Sequence, residues 1–139
     1  MIMALVHASC VNFKGKGILI LGKSGSGKSD LALRLIDAGG TLVSDDYVEV
    51  VGENNALIAK AVPNIAGMIE VRGVGLMKVD FLPMTHLDLA LELAPRNDIE
   101  RLPEQRYFET DKIKIPLYGY NGFCASAIAK INLIINNLV

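Results

Sequence analysis

Through its first half, the chain sets its apolar residues in short runs divided by polar turns, with one helical interruption. Residues 5–11 read as an opening strand that turns through 12–17 into a second at 17–21, whose Gly-Ile-Leu-Ile-Leu run predicts a buried strand. Residues 30–38 read as a helix, with Gly39 as its C-terminal stop. Residues 41–44 predict a strand leading into Asp45-Asp46, and residues 47–51 and 56–62 a hairpin about the turn 52–55. Residues 63–75, holding Gly67, Gly73 and Gly75, read as a loop. Residues 87–93 alternate strictly, which puts Asp88 and Glu92 on the polar face of a strand. Residues 95–113 are polar and predict a surface loop with a short helix, and residues 122–138 a final helix striped by Cys124, Ile128, Ile131, Ile135 and Leu138. That helix is expected to pack on its own core, with a second use of Phe123, Ile128, Ile131 and Ile135 at an interface.

Between the second strand and the first helix stands Gly22-Lys23-Ser24-Gly25-Ser26-Gly27-Lys28-Ser29, a complete phosphate-loop motif. Glycines let the backbone curl so that amides turn toward phosphate oxygens, Lys28 reaches the outer phosphates, and Ser29 offers a hydroxyl to Mg²⁺. The strand before it and the helix after it add the helix dipole to the anion site. These residues predict binding of a nucleoside triphosphate.

Composition narrows the classes. The chain has 139 residues, 51% of them hydrophobic and 21% charged, which suits one globular domain, and its net charge of −1 supplies no basic field for nucleic acid or a membrane surface. No apolar run is long enough to span a bilayer, and residues 1–11 lack a signal peptide's basic start. Cys10 and Cys124 stand in no metal or redox spacing, which predicts two buried reduced thiols in a cytoplasmic protein.

Phosphoryl transfer needs carboxylates beside the loop, to hold Mg²⁺ or to take a proton from the attacking hydroxyl. Asp45-Asp46 is one candidate pair, the alternative being a solvated turn or a helix cap. Glu70 and Arg72 flank Val71, so in extended backbone they face the same way, toward a metal and a phosphoryl group or simply toward water. His7, taken alone, reads as a core histidine with one bonded nitrogen.

Together and in this order, these pieces resemble the catalytic domain of the HPr kinase/phosphorylase family. The resemblance runs from His7 to about residue 79 and is sharpest in 22–29, in Val43-Ser44-Asp45-Asp46, and in Ile69-Glu70-Val71-Arg72-Gly73-Val74-Gly75. The last run matches an E-[IV]-R-G-[LV]-G signature that ordinary phosphate-loop kinases lack. It implies an α/β fold, a P-loop-containing mixed sheet with helices packed on it, of the HPr kinase/PEP carboxykinase type.

It further implies an ATP-dependent protein-serine kinase acting on HPr, the phosphocarrier protein of the bacterial phosphotransferase system. On this reading Gly22 to Ser29 bind the nucleotide, and Ser29 and Glu70 hold Mg²⁺. Asp46 accepts the serine proton, Lys28 acts on the phosphates, and His7 becomes an active-site histidine. Asp45 and Arg72 support them, and Arg101, within Glu100-Arg101-Leu102-Pro103, aligns with a later catalytic arginine. A homo-hexamer is implied as well.

Full-length members carry an additional N-terminal domain. Residues 1–139 therefore resemble the short, single-domain form of some proteobacteria, one kinase domain with no N-terminal regulatory domain. The family's arginine-bearing P-G-R-N-like segment corresponds to residues 115–121, which hold no arginine. That departure bears on the phosphorylase half, in which phosphate attacks phosphoserine, more than on the kinase half. Two rival functions are a small-metabolite P-loop kinase, against which stands the lack of an arginine-rich lid, and a non-catalytic ATP-binding regulator.

Overall fold

The computed structural model describes residues 3–138. In chain order the strands and helices are β1 (Met3–Val6), β2 (Ser9–Phe13), β3 (Lys16–Leu21), α1 (Lys28–Asp37), β4 (Thr41–Ser44), β5 (Val48–Glu53), β6 (Ala56–Ala61), β7 (Met68–Val71), β8 (Gly75–Lys78), β9 (Met84–Leu93), β10 (Arg106–Thr110), β11 (Ile113–Tyr120) and α2 (Ala127–Asn136). Short 3-10 turns lie at Pro63–Ile65 and Arg96–Asp98.

The main sheet runs β1-β5-β6-β9-β3-β2-β4, with β11 and then β10 branching from β9. The branch arises because β9 is long enough to change partners along one edge. Its first half pairs antiparallel with β6, Lys60 opposite Met84, and its second half pairs parallel with β11, Leu117 opposite Ala90. Along its other edge it runs parallel to β3. The result is a curled mixed sheet with a core on each face. Ile18 and Ile20 join Leu31, Leu35, Leu89, Leu91 and Ile131 beneath the helices. Leu19, pointing the other way, joins Cys10, Val43, Val50 and Leu117.

Four expectations change. The opening strand is two, β1 and β2, interrupted at His7 and Ala8, because β1 pairs with β5 whereas β2 pairs with β3 and β4. The expected loop 63–75 contains β7, and β7 and β8 form a separate hairpin. The stretch 95–113 includes β10, and β11 follows it. The final helix begins only at Ala127, so Cys124 and Phe123 precede it and Leu138 follows it, while Ile131 and Ile135 are buried and Ile128 packs against the same core.

The sheet order positions the site. Strands β3, β4, β9 and β11 point the same way, since β2 is antiparallel to both β3 and β4, and β9 is parallel to both β3 and β11. The glycine loop after β3, Asp45-Asp46 after β4, and the segments after β9 and β11 therefore emerge at one edge. Carboxyl ends of parallel strands are where open α/β sheets bind ligands.

Candidate active site

The loop between β3 and α1 is held by Lys28, only 7% exposed, whose ammonium donates to the carbonyls of Gly22 at 2.8 Å and Lys23 at 3.1 Å. Gly27 occupies the N-cap of α1 at φ 100°, in the left-handed region open to glycine, and no side chain caps the helix there. The first-turn amides are thus left for an anion. The hydroxyl of Ser26 is buried with no partner among the described residues, a group that a ligand oxygen would satisfy.

Asp45 and Asp46 part company at the end of β4. Asp45 is 5% exposed and its carboxylate accepts from the hydroxyls of Ser9 at 2.6 Å and Ser29 at 2.8 Å, and from the amide of Glu70 at 3.3 Å. Asp46 takes φ 68°, a left-handed conformation that aspartate tolerates, and its side chain is exposed. This turn sends the neighbouring carboxylates to different surroundings. Asp46 meets His7, with Nε2 of the imidazole 3.0 Å from Oδ1, and His7 rests on the ring of Tyr47 at a centroid distance of 5.0 Å. The amide of Ala8 donates to the carbonyl of Asp46 at 3.0 Å and ties the β1–β2 break to this turn.

His7, Lys28, Ser29, Asp46, Glu70 and Arg72 all line one open groove of about 990 Å³. Glu70 lies on β7, but Arg72 lies in the turn that carries the chain to β8, closed by the amide of Val74 donating to the carbonyl of Val71 at 2.9 Å. The extended-backbone relation expected for the pair therefore does not hold, although both reach the groove. Arg101 lines neither this groove nor the cleft on the loop's other side, and sits in the exposed segment between β9 and β10.

Sequence reasoning passed over Ser9, and it assigned Phe123 to an interface of the final helix rather than to the glycine loop. Ser9 is a polar residue fully buried at the start of β2, a signal readable as a hydroxyl inside an apolar strand. Phe123 is 66% exposed, yet its ring lies so close to Gly27 that a Cβ there would fall 2.5 Å from Cζ. Nothing local in the sequence announces that contact. Cys10 is buried, and burial pushes its thiol up, whereas Cys124 is half-buried rather than enclosed as expected.

The fold is thus a mixed α/β domain whose strand–glycine loop–helix unit carries a hydroxyl–carboxylate pair beside it. Comparison with known proteins supplies the family. Residues 2–118 match the model of the HPr Serine kinase C-terminal domain, and the chain belongs to that family. An HPr kinase/phosphorylase of Caldicellulosiruptor bescii is 37% identical over 123 residues, covering 79% of this chain and 39% of that protein. One from Mycoplasmopsis pulmonis is 32% identical over 150 residues, covering 96% and 48% respectively. This chain spans less than half the length of these two relatives. The solved structure of the Hpr(Ser) kinase/phosphatase from Coxiella burnetii superposes with a TM-score of 0.85 at 26% identity, covering 96% of this chain and 95% of that one.

Proposed function

We propose that this chain transfers the γ-phosphoryl group of ATP to a serine hydroxyl of an HPr-type phosphocarrier protein. The observation that carries the proposal is the division of labour between Asp45 and Asp46. One carboxylate is buried against the hydroxyl of the phosphate-loop motif, and the other stands in the groove against a histidine.

The amides of the loop and Lys28 hold the phosphates, and catalysis is mostly positioning and charge neutralisation. Asp46 takes the proton of the serine hydroxyl as its oxygen bonds to the γ-phosphorus and the bond to the β-phosphate oxygen breaks. His7 orients Asp46. Arg72 faces the same groove and offsets charge on the phosphoryl oxygens.

Mg²⁺ fits the donors present. Asp45 is a buried carboxylate with no lysine, arginine or histidine in ion-pair range among the described residues, and the Ser29 hydroxyl lies against it. Such oxygen donors, completed by phosphate and water, suit this hard cation. Ser29 and Glu70 would hold it, with Asp45 behind Ser29. Bound there, Mg²⁺ would neutralise charge developing between the β- and γ-phosphates.

A protein acceptor suits the rim of the groove, where Val74 and Leu76 on the β7–β8 hairpin are exposed apolar side chains. A cytoplasmic homo-hexamer belongs to the same proposal. No helix among the described residues is long and apolar enough to cross a membrane. The test is mass-spectrometric mapping of phosphate on an HPr-type protein incubated with this chain and Mg-ATP. One phosphoserine, lost with Asp46→Asn, is the expected result. ATP consumption with no phosphate on any protein acceptor would overturn it.

A further inference from the structure

Helix α1 is fixed to the sheet by one apolar stripe, Leu31, Ala32 and Leu35, all buried. Its N-terminal end, where the glycine loop enters, has no side-chain cap of its own. Residues 121–126, which carry the chain from β11 to α2, reach that end from outside. The Phe123 ring lies against Gly27, and the missing Cβ of glycine is what admits it. Besides Ser24 and Gly25 of the loop itself, Phe123 is the residue that lines both the catalytic groove and the cleft on the loop's other side. The ring thus stands at the boundary between the two.

The same segment is tied to α1 a second time. Arg34, in the last turn of the helix, leans toward the helix N-terminus as helical side chains do. Its guanidinium donates to the carbonyl of Gly122 and, at 3.1 Å, to the carboxylate of Asp30. Gly122 and Phe123 are consecutive, so the Arg34 bond fixes the backbone from which the ring projects. The segment is also braced within itself. The Tyr120 hydroxyl donates to the carbonyl of Ala127 across its base, and the Asn121 side chain accepts from the amide of Phe123 at 3.1 Å. Arg34 lines neither the groove nor the cleft, so it stands apart from a ligand bound in either.

We infer that residues 120–127 act as a clasp on the glycine loop, with Phe123 and Arg34 as positioning residues for phosphate binding. The inference rests on the phosphate-loop reading proposed above and adds what keeps that loop in shape. The loop amides must already point inward when phosphate arrives, yet Gly22, Gly25 and Gly27 make this stretch costly to hold in one conformation. The ring restricts Gly27, and the Arg34 guanidinium keeps the ring there. Affinity for phosphate is thereby set in part by a residue that touches no phosphate.

The experiment measures calorimetric binding of Mg-tripolyphosphate, which presents phosphates alone, beside that of Mg-ATP. Phe123→Ala and Arg34→Ala should each weaken both ligands about fivefold or more, whereas Phe123→Leu, which keeps an apolar group on Gly27, should stay within about twofold of wild type. Because Arg34 acts through Phe123, the double variant should bind no more weakly than Phe123→Ala alone. Thermal unfolding shows which variants are folded, and Arg34→Lys, which keeps the charge but not the fork, enters the cycle in place of an Arg34→Ala protein that does not fold. Wild-type affinity for tripolyphosphate in Phe123→Ala would overturn the clasp, as would losses from Phe123 and Arg34 that add, or a Phe123→Leu loss equal to that of Phe123→Ala. Wild-type protein that binds ATP but not tripolyphosphate would overturn it too. Failure of both ligands to bind wild-type protein is a different result, which overturns the phosphate-loop reading beneath it.

Discussion

The hydroxyl of Ser29 lies 2.8 Å and 3.0 Å from the two carboxylate oxygens of Asp45. Its single proton serves one oxygen at a time, so the contact leaves lone pairs on both residues for a cation. The pair also has a structural side, because Ser9 and the Glu70 amide converge on the same carboxylate.

Two substitutions separate these roles. Asp45→Asn keeps the shape and removes the charge, and should cut phosphoryl transfer by about 10²- to 10³-fold with a small change in Tm. Asp45→Ala should lose as much activity and also destabilise the fold, since each buried donor left unpaired costs about 1–3 kcal/mol. Turnover and thermal unfolding of both variants check this. An Asn variant with near-normal transfer would remove Asp45 from the catalytic arrangement.

Asp46 and His7 form a second coupled pair. Asp46→Asn preserves the left-handed turn, which asparagine also accepts, and should lower turnover by about 10²- to 10⁴-fold. His7→Ala should cost less, with KM for ATP unchanged, because a positioning residue acts through its partner. In the Asp46→Asn background the His7→Ala change should have little further effect, as residues acting as a unit are not additive. Additive losses in this cycle would mean that His7 acts on the phosphates by itself.

The candidate phosphate loop stands out in the sequence because its residues sit close together along the chain and the proposed chemistry dictates their types. The strands β3, β4, β5 and β6 were legible too, being buried runs with turn residues between them. The strands missed lack that signature. All four residues of β8 are exposed, so no burial pattern marks it. β11 contains Pro116, which argues against a strand between two neighbours. The structure accommodates it because Pro116 faces only Tyr107 of β10, and pairing with β9 begins at Leu117. Ser9 and Phe123 join the site only through strand pairing and loop packing, relations the sequence does not carry locally.

Gly17 has a role that the sequence hides behind an ordinary strand. A Cβ at this position would stand 1.8 Å from the backbone carbonyl oxygen of His86, and the β3–β9 register shifts between Gly17 and Ile18. The Gly17 amide also donates to Asp88 at 2.9 Å, fixing the start of the parallel pairing that supports the phosphate loop. Backbone cannot yield as a flexible side chain does. Gly17→Ala should therefore cost about 3 kcal/mol or more, a drop in Tm on the order of 10 °C. Chemical and thermal denaturation measure it, and a Tm within a degree or two of wild type would show that the close approach is not maintained in solution.

The two cysteines should differ sharply in reactivity, one being enclosed and the other lying beside a hydroxyl and an ammonium. Cys10 is fully enclosed, and burial raises its thiol pKa, so it should remain unlabelled until the protein unfolds. At Cys124 partial burial works against ionisation, but the Ser126 hydroxyl and the Lys130 ammonium, whose Nζ lies 3.6 Å from Sγ, outweigh it and hold the thiol below its ordinary value. A lowered pKa means that half the thiol is thiolate at a lower pH, so alkylation of Cys124 should rise at lower pH than that of the same cysteine in unfolded protein. Lys130→Gln removes the ammonium and should move the labelling curve back toward higher pH. Iodoacetamide labelling against pH, read by intact mass, follows both residues at once. Equal labelling of Cys10 and Cys124 in folded protein, or a Lys130→Gln curve that does not move, would show that neither enclosure nor the neighbouring charge governs these thiols.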